Sequence, residues 1–267
     1  MTTRIQLFVA VAASSLAAAT LVAQPPALPE VPRGVLLALH FQKDPAAPGT
    51  HLAEYSKRSQ EVAGIAHLVV GKNAELPTGL KPLPDEEGTL RKKYAPAGDA
   101  IVLVDAAGQE VARVQPAAAS FDQFASTVSK ATFREAQGHY NLPEDRLAIQ
   151  GYDTVSYHRG DPAAGSDQIT SKWQDITYRF ASAENRALFA ADPMKYAPAY
   201  GGWCATAMAD GDKVVIDPKN YKVTDGRLFL FYKGIWGNAI KDWNKDEAGL
   251  TVKADSSWAA TSGEKAK

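Results

Sequence analysis

Residues 90–114, LRKKYAPAGDAIVLVDAAGQEVARV, read as the end of a short helix, a proline- and glycine-bearing turn, and two strands folded back on each other. Glu86–Tyr94 supplies the helix. The apolar run from Ala100 meets a turn at Gly108 and returns through Val114, as an antiparallel pair does. Upstream lie two continuous apolar runs of strand length, GVLLALH (34–40) and IAHLVVG (65–71), of the kind found in buried parallel strands. The segment between them places Leu52, Tyr55, Ser59 and Val62 on one face of a helix. Residues 72–86, with Pro77, Pro82 and Pro84, read as loop. Downstream, Phe121, Phe124 and Val128 recur at helical spacing. The expected order is β-α-β-α-β-β-α.

That order, with the 90–114 stretch, resembles the thioredoxin-like fold over roughly residues 33–131. Redox-active proteins of that fold carry a cysteine after the first strand, and HFQKDPAAPGTH (40–51) contains none. They also place a cis-proline before the third long strand, where this chain has Gly98-Asp99. Dithiol exchange is therefore chemically impossible here, and the resemblance implies a scaffold or docking role. His40 and His51 flank the 40–51 loop and are expected to be solvated or capping residues rather than metal ligands. His67, inside an apolar strand, reads as a satisfied core histidine.

A polar stretch with Gly138 and Pro143 marks 132–146 as a connector. Beyond it, strands are expected at 148–158, 169–173 and 176–182. Next comes a helix over 183–191, capped by Ser182 and presenting Leu188 and Phe189 to a core. A further helix is expected near 200–209. Asp225-Gly226 signals a hairpin within 221–232. Ile235, Trp236, Ile240 and Trp243 suggest an amphipathic C-terminal helix, and the last residues a frayed tail apart from Trp258.

Several stretches of this half, GYDTVSY (151–157), YRFAS (178–182), AYGGWCA (199–205), Asp217-Pro218 and DGRLFLFY (225–232), are similar to the YHS domain family. The likeness is to a branch of exported bacterial proteins that includes selenoproteins, and it covers about residues 147–258. It implies a small α+β domain after the α/β thioredoxin-like one. It also implies that Cys204 occupies the position of a cysteine or selenocysteine. The wider family is associated with metal handling, copper above all. Arg179 stands where its name would lead one to expect a histidine.

Cys204 is the chain's single cysteine, so no internal disulfide can form. If a helix starts there, Cys204 lies in its first turn, where the dipole favours thiolate. Met208 follows at i+4, placing thiolate and thioether on one face. Two sulfur donors suit Cu(I) better than Mg²⁺ or Ca²⁺. Met194, His158 and His139 are the candidates for a third ligand. The bland reading makes Cys204 a buried hydrophobe and Met208 core packing. No catalytic base is apparent beside Cys204. The many tyrosines and tryptophans are either core or the wall of a pocket for a small apolar or planar ligand. Asp153 and Asp217 are pocket acids or, more commonly, turn formers.

A single cation, Arg4, precedes an Ala-rich apolar stretch from Ile5 to Ala23, followed by QPPALPEVP. That is the layout of a cleaved secretory signal over residues 1–23, with an uncleaved membrane anchor as the alternative, since about 19 residues could span a bilayer. A periplasmic or secreted protein without stable membrane insertion is the expectation. With 29 basic against 30 acidic residues, no basic surface is left over for nucleic acid. The leading functional expectation is an exported soft-metal, copper-type binding or trafficking accessory acting through Cys204, and an enzyme is the less favoured class. The alternatives are a thiol redox protein docking an exported protein partner, and a non-catalytic ligand or protein interaction module.

Overall fold

The structure, a computed structural model, describes residues 28–32, 34–42, 51–71, 76–115, 120–132, 138–143 and 145–264. The signal-type segment over 1–23 lies outside the described residues.

The first half is a mixed α/β layer. Strands β1 (Leu36–Phe41), β2 (Ile65–Val70), β3 (Lys81–Leu83), β4 (Ala100–Val104) and β5 (Glu110–Val114) form one sheet in the order β3-β2-β1-β4-β5. β1, β2 and β3 run parallel, whereas β4 is antiparallel to both β1 and β5. Helices α1 (His51–Arg58), α2 (Thr89–Tyr94) and α3 (Phe121–Thr132) cover it. Because side chains alternate along a strand, β1 sends Leu37, Leu39 and Phe41 to one side, against Leu90 and Tyr94 of α2. Ala38 points the other way, to Tyr55 of α1 and to Phe121, Phe124 and Val128 of α3. Both faces are therefore covered, as an apolar, non-alternating strand requires. The expected loop over 72–86 contains β3. Pro82 is tolerated there because β3 is an edge strand bonded on one side only.

The second half gathers two hairpins around an aromatic core. The hairpins are β6 (Ser166–Trp173) with β7 (Ile176–Phe180), and β8 (Asp217–Thr224) with β9 (Arg227–Phe231). Asp225 and Gly226 both have positive φ, 51° and 74°, matching the expected turn. Helix α5 (Ala183–Ala191) opens where expected, with the Ser182 hydroxyl accepting from the Asn185 amide. Phe189 is fully buried, but Leu188 is exposed on the opposite side.

Besides Leu188, three expectations for this half are overturned. Residues 148–158 are not a strand. They form a 3-10 turn (Ala148–Gly151) and helix α4 (Thr154–Tyr157), because Asp153 caps the amides of Val155 and Ser156. Ile235 and Trp236 are not on a helix. They tip a small hairpin of β10 (Lys233–Gly234) and β11 (Gly237–Asn238), both nearly fully exposed, and only Trp243 of the short α8 (Ile240–Trp243) is buried. The expected frayed tail is helical over 256–262 instead. Asp246 caps the 16-residue helix α9 (Glu247–Ser262), which buries Ala254 and Trp258. Two shorter helices, α6 (Pro193–Tyr196) and α7 (Ala205–Ala209), complete this half.

The halves meet at residues 62–64. Val62 bridges Lys172 of β6, the Ala63 amide donates to the Lys172 carbonyl, and the Gly64 amide donates to that of Ala190. Gly64 has φ +75°, and a Cβ there would stand 3.1 Å from the Trp173 ring. Any side chain at this seam would both strain the backbone and push the indole.

Candidate functional site

Cys204 precedes α7 as its N-cap residue and its side chain makes no capping bond. The helix behind it has only five residues. The Cys204 amide donates to the Val214 carbonyl, and the residue bridges Leu230 of β9. Cys204 is 1% exposed and Met208 fully buried, both inside the aromatic and aliphatic core. The i+4 relation expected from the sequence holds, closed by the bond from the Met208 amide to the Cys204 carbonyl.

The candidate third ligands are dispersed among other contacts. Met194 packs at the seam, where a Cβ on Gly34 would stand 3.0 Å from its Cγ. His158 ends α4 and meets the Tyr196 ring edge-on at 5.2 Å. His139 is tied to the Trp203 indole through its carbonyl and stands 3.1 Å from Lys213 Nζ through its ring. Among the described residues no group of three or more His, Cys, Asp or Glu side chains is placed to hold a metal ion.

The aromatic residues do form a pocket wall. A cavity of about 430 Å³ opens between the connector, the β6–β7 hairpin, the Ala197–Gly202 segment and the end of α9. Tyr140, Trp173, Tyr178, Tyr200 and Trp258 supply its rings and Met194 a sulfur; Cys204, Met208, His158 and His139 lie outside it. Among the described residues its single charged lining residue is Glu264, whose carboxylate accepts from the Tyr140 hydroxyl at 2.8 Å. Burial, with a smaller contribution from the Glu264 charge, raises the Tyr178 phenol above its ordinary range and keeps it neutral.

This wall is built from unusual backbone. Ile149 (φ 47°) and Tyr200 (φ 53°) line the cavity in the left-handed region, whereas Gln174 (φ 51°), also in its wall, has the positive φ that the two-residue β6–β7 hairpin turn requires. A β-branched residue such as Ile149 adopts that region only when its surroundings over-determine it. Gly201 (φ +59°) carries no side chain because a Cβ would approach Trp258 and Tyr140 to 2.8 Å. Behind the cavity, the Tyr200 hydroxyl donates to Asp255 at 2.7 Å and accepts from Arg227. Arg227 in turn pairs with Asp255 at 2.6 Å, fixing α9 to β9.

Asp153 lines no part of the cavity. Its fully buried carboxylate accepts from the amides of Val155, Ser156 and Ala181 and from the Asn185 side chain. It acts as a latch joining α4, the end of β7 and α5, rather than as a pocket acid.

A second cluster draws together His40, His51 and His67. His40, fully buried, stands with Nε2 3.0 Å from His67 Nδ1 and Nδ1 3.3 Å from His51 Nε2. The expectation that His40 is solvated or capping is thereby overturned. His67 is a core residue as expected, but its Nε2 has no hydrogen-bond partner. Burial, with like-charge effects from His67 and His51, lowers His40 well below the ordinary imidazole value, and burial lowers His67 to about 4. Burial also lowers His51, against the opposing charges of Asp99 and Glu54. All three rings are neutral near pH 7.

Compared with known protein families, curated proteins and solved structures, the chain has no significant match.

Proposed function

We propose that this protein is a non-catalytic binding module whose second half takes up a small, planar, largely apolar molecule in the aromatic cavity. The observation that carries this reading is the left-handed, strained backbone at Ile149 and Tyr200 on the wall of one concave, ring-lined space. Such conformations cost roughly 1–3 kcal/mol each and cluster where function requires them. A volume near 430 Å³ falls within the range of small-molecule sites. With Glu264 as the one charged group in the wall among the described residues, a ligand with a hydrogen-bond donor or amine at one end fits best.

In this reading the second half is a YHS domain, and the first a cysteine-free thioredoxin-like scaffold that docks against it through residues 62–64. Export to the periplasm or medium follows from the signal-type segment. The soft-metal and thiol-redox roles of Cys204 both need a sulfur that reaches solvent or a ligand. A thiol 1% exposed and outside the cavity favours the binding module over either.

The test is titration with N-phenyl-1-naphthylamine, a neutral planar amine whose emission rises in apolar surroundings. Saturable, one-to-one uptake is expected, weakened at least tenfold by Ala199→Leu, which narrows the cavity, and less by Glu264→Gln. Absence of uptake, or uptake indifferent to both substitutions in variants with wild-type near-UV circular dichroism, overturns the proposal. A Cu(I) competition titration is the parallel test of the sulfur reading. Chelator-competitive binding lost in both Cys204→Ser and Met208→Leu would reinstate it.

A further inference from the structure

Ile235 and Trp236 are 90% and 87% exposed, the highest values of any large apolar side chain among the described residues. They are neighbours in sequence and form the two-residue turn between β10 and β11, with Lys233 opposite Asn238 and Gly234 opposite Gly237. Isolated apolar residues on a surface need no explanation, but this tip is built to keep two of them in the open. The Tyr232 hydroxyl accepts from the Trp236 amide at 3.3 Å and stands so close to Gly234 that a Cβ there would collide with it. At the base, the Ala239 amide donates to the Tyr232 carbonyl at 3.1 Å. The buried Asn220 carboxamide donates to the same carbonyl at 3.0 Å and to Asn238 Oδ1 at 2.9 Å. The hairpin backbone is thus held by Tyr232 and Asn220, while neither tip side chain packs against the core of this half.

Shape and charge decide what such a tip can meet. Lys233 and Lys241, both exposed, flank it, and residues 232–241 contain no acidic residue. Neither lysine has an ion pair among the described residues. The first acid beyond, Asp242, is paired with Lys245 at 2.6 Å. Two side chains present at most roughly a few hundred Å², short of the about 800 Å² that each partner of a stable protein complex buries. The residues beside them are lysine, glycine and asparagine rather than further apolar surface. A bilayer needs no matching surface. Indole settles at the boundary between headgroups and hydrocarbon, isoleucine adds apolar area there, and lysine stems lie along the apolar zone while their ammonium groups reach lipid phosphates. We infer that the Lys233–Lys241 segment is a peripheral contact for the surface of an anionic lipid bilayer, with Ile235 and Trp236 entering the headgroup boundary. The contact is reversible, because even a whole myristoyl chain binds only marginally on its own, and its electrostatic part weakens with salt. None of these residues lines the aromatic cavity, so the contact does not depend on ligand uptake.

The experiment mixes the full chain with vesicles of phosphatidylglycerol and phosphatidylcholine, the latter brominated along its acyl chains, at about 50 mM salt. Emission from Trp236 is taken as the difference between wild type and Trp236→Phe. That signal is expected to move to shorter wavelength and to be quenched by the bromines. The partition coefficient from co-sedimentation should fall at least about tenfold for Lys233→Glu/Lys241→Glu. It should fall as far for Ile235→Ser/Trp236→Ser, and all four positions are exposed, so the core stays intact. Val252→Ser, at an exposed apolar position on α9, should bind as the wild type does. Adsorption through the apolar stretch near the N-terminus would leave Trp236 unquenched and be indifferent to the tip substitutions. That outcome overturns the assignment, as does equal binding to vesicles of phosphatidylcholine alone. So does self-association without lipid, seen by sedimentation velocity and abolished in Ile235→Ser/Trp236→Ser, since it gives the tip to a second copy.

Discussion

Replacing Asp153 by Asn removes one negative oxygen from a site where every neighbour is a donor. Asp153 Oδ1 accepts from Val155 N at 2.9 Å and Ser156 N at 3.4 Å, and Oδ2 accepts from Ala181 N at 2.9 Å and Asn185 Nδ2 at 2.7 Å. An Asn amide can present its oxygen to one pair only, and its NH₂ must then face the other. Asn185, whose Oδ1 is buried without a partner, can turn to accept from that NH₂, so one hydrogen bond to a charged group is lost outright, and Asp153→Asn should cost about 1.5–3 kcal/mol. For a cooperative unit of about 150–250 residues, that lowers Tm by roughly 3–12 °C. The assay is thermal unfolding followed by tryptophan fluorescence. The five tryptophans, Trp173, Trp203, Trp236, Trp243 and Trp258, all lie beyond the connector and report on the half that Asp153 latches. Asp153→Glu should also destabilise, because the longer side chain cannot reach both the α4 amides and Asn185. A Tm for Asp153→Asn within about 2 °C of wild type would refute the latch, since the loss of one charged hydrogen bond exceeds that.

Gly201→Ala should cost at least about 1–2 kcal/mol from its left-handed φ alone, with more from the 2.8 Å approach to Trp258 and Tyr140; urea unfolding measures it, and probe uptake by the cavity should fall with it. Cys204→Ser should lose about 1–3 kcal/mol by placing a hydroxyl in an apolar core, and the native thiol should react with a maleimide only on unfolding. Rapid labelling of the folded protein would instead expose the sulfur and revive its redox reading. Burial opposes ionisation of Glu247, but its bonds from Lys222 at 2.6 Å and Thr224 at 2.7 Å win and hold its carboxyl below the ordinary value. A depressed carboxylate stabilises the fold above its unfolded pKa and loses that contribution as pH falls through the folded one. Glu247→Gln should therefore cost roughly 0.5–1 kcal/mol at pH 7 and make stability between pH 5 and 3 less steep in acid titration of the melting point.

The elements that could be read from the sequence are those whose signals are local. The β4–β5 pair, the Ser182 cap and the Asp225-Gly226 turn each depend on residues within a few positions of one another. Residues 148–158 misled because GYDTVSYH has the β-branched and aromatic content of a strand. Its fate is set by Asp153, whose partners Ala181 and Asn185 lie 28 and 32 residues away. The 235–243 segment misled for the opposite reason. Ile235 and Trp236 fit a helical apolar period, but a glycine on either side makes them the tip of a hairpin.

The site residues divide along the same line. Cys204 and Met208 were conspicuous by spacing, yet their i+4 relation holds equally for two residues facing a core, and spacing carries no information on which side of a short helix is solvent. The histidines are visible in the sequence only as two residues flanking a loop and one inside a strand, and nothing there says that they meet. His40 and His67 are 27 residues apart, and they converge only because β1 and β2 pair in parallel with Ala38 opposite His67 and His40 opposite Val69. That register makes the two histidines diagonal neighbours on one face, within reach of each other's rings. A slip of one residue would turn His67 to the α2 side and leave His40 facing Leu68 or Val70. The meeting of these histidines therefore rests on a strand register, which the apolar pattern of each strand alone does not specify because both faces are buried.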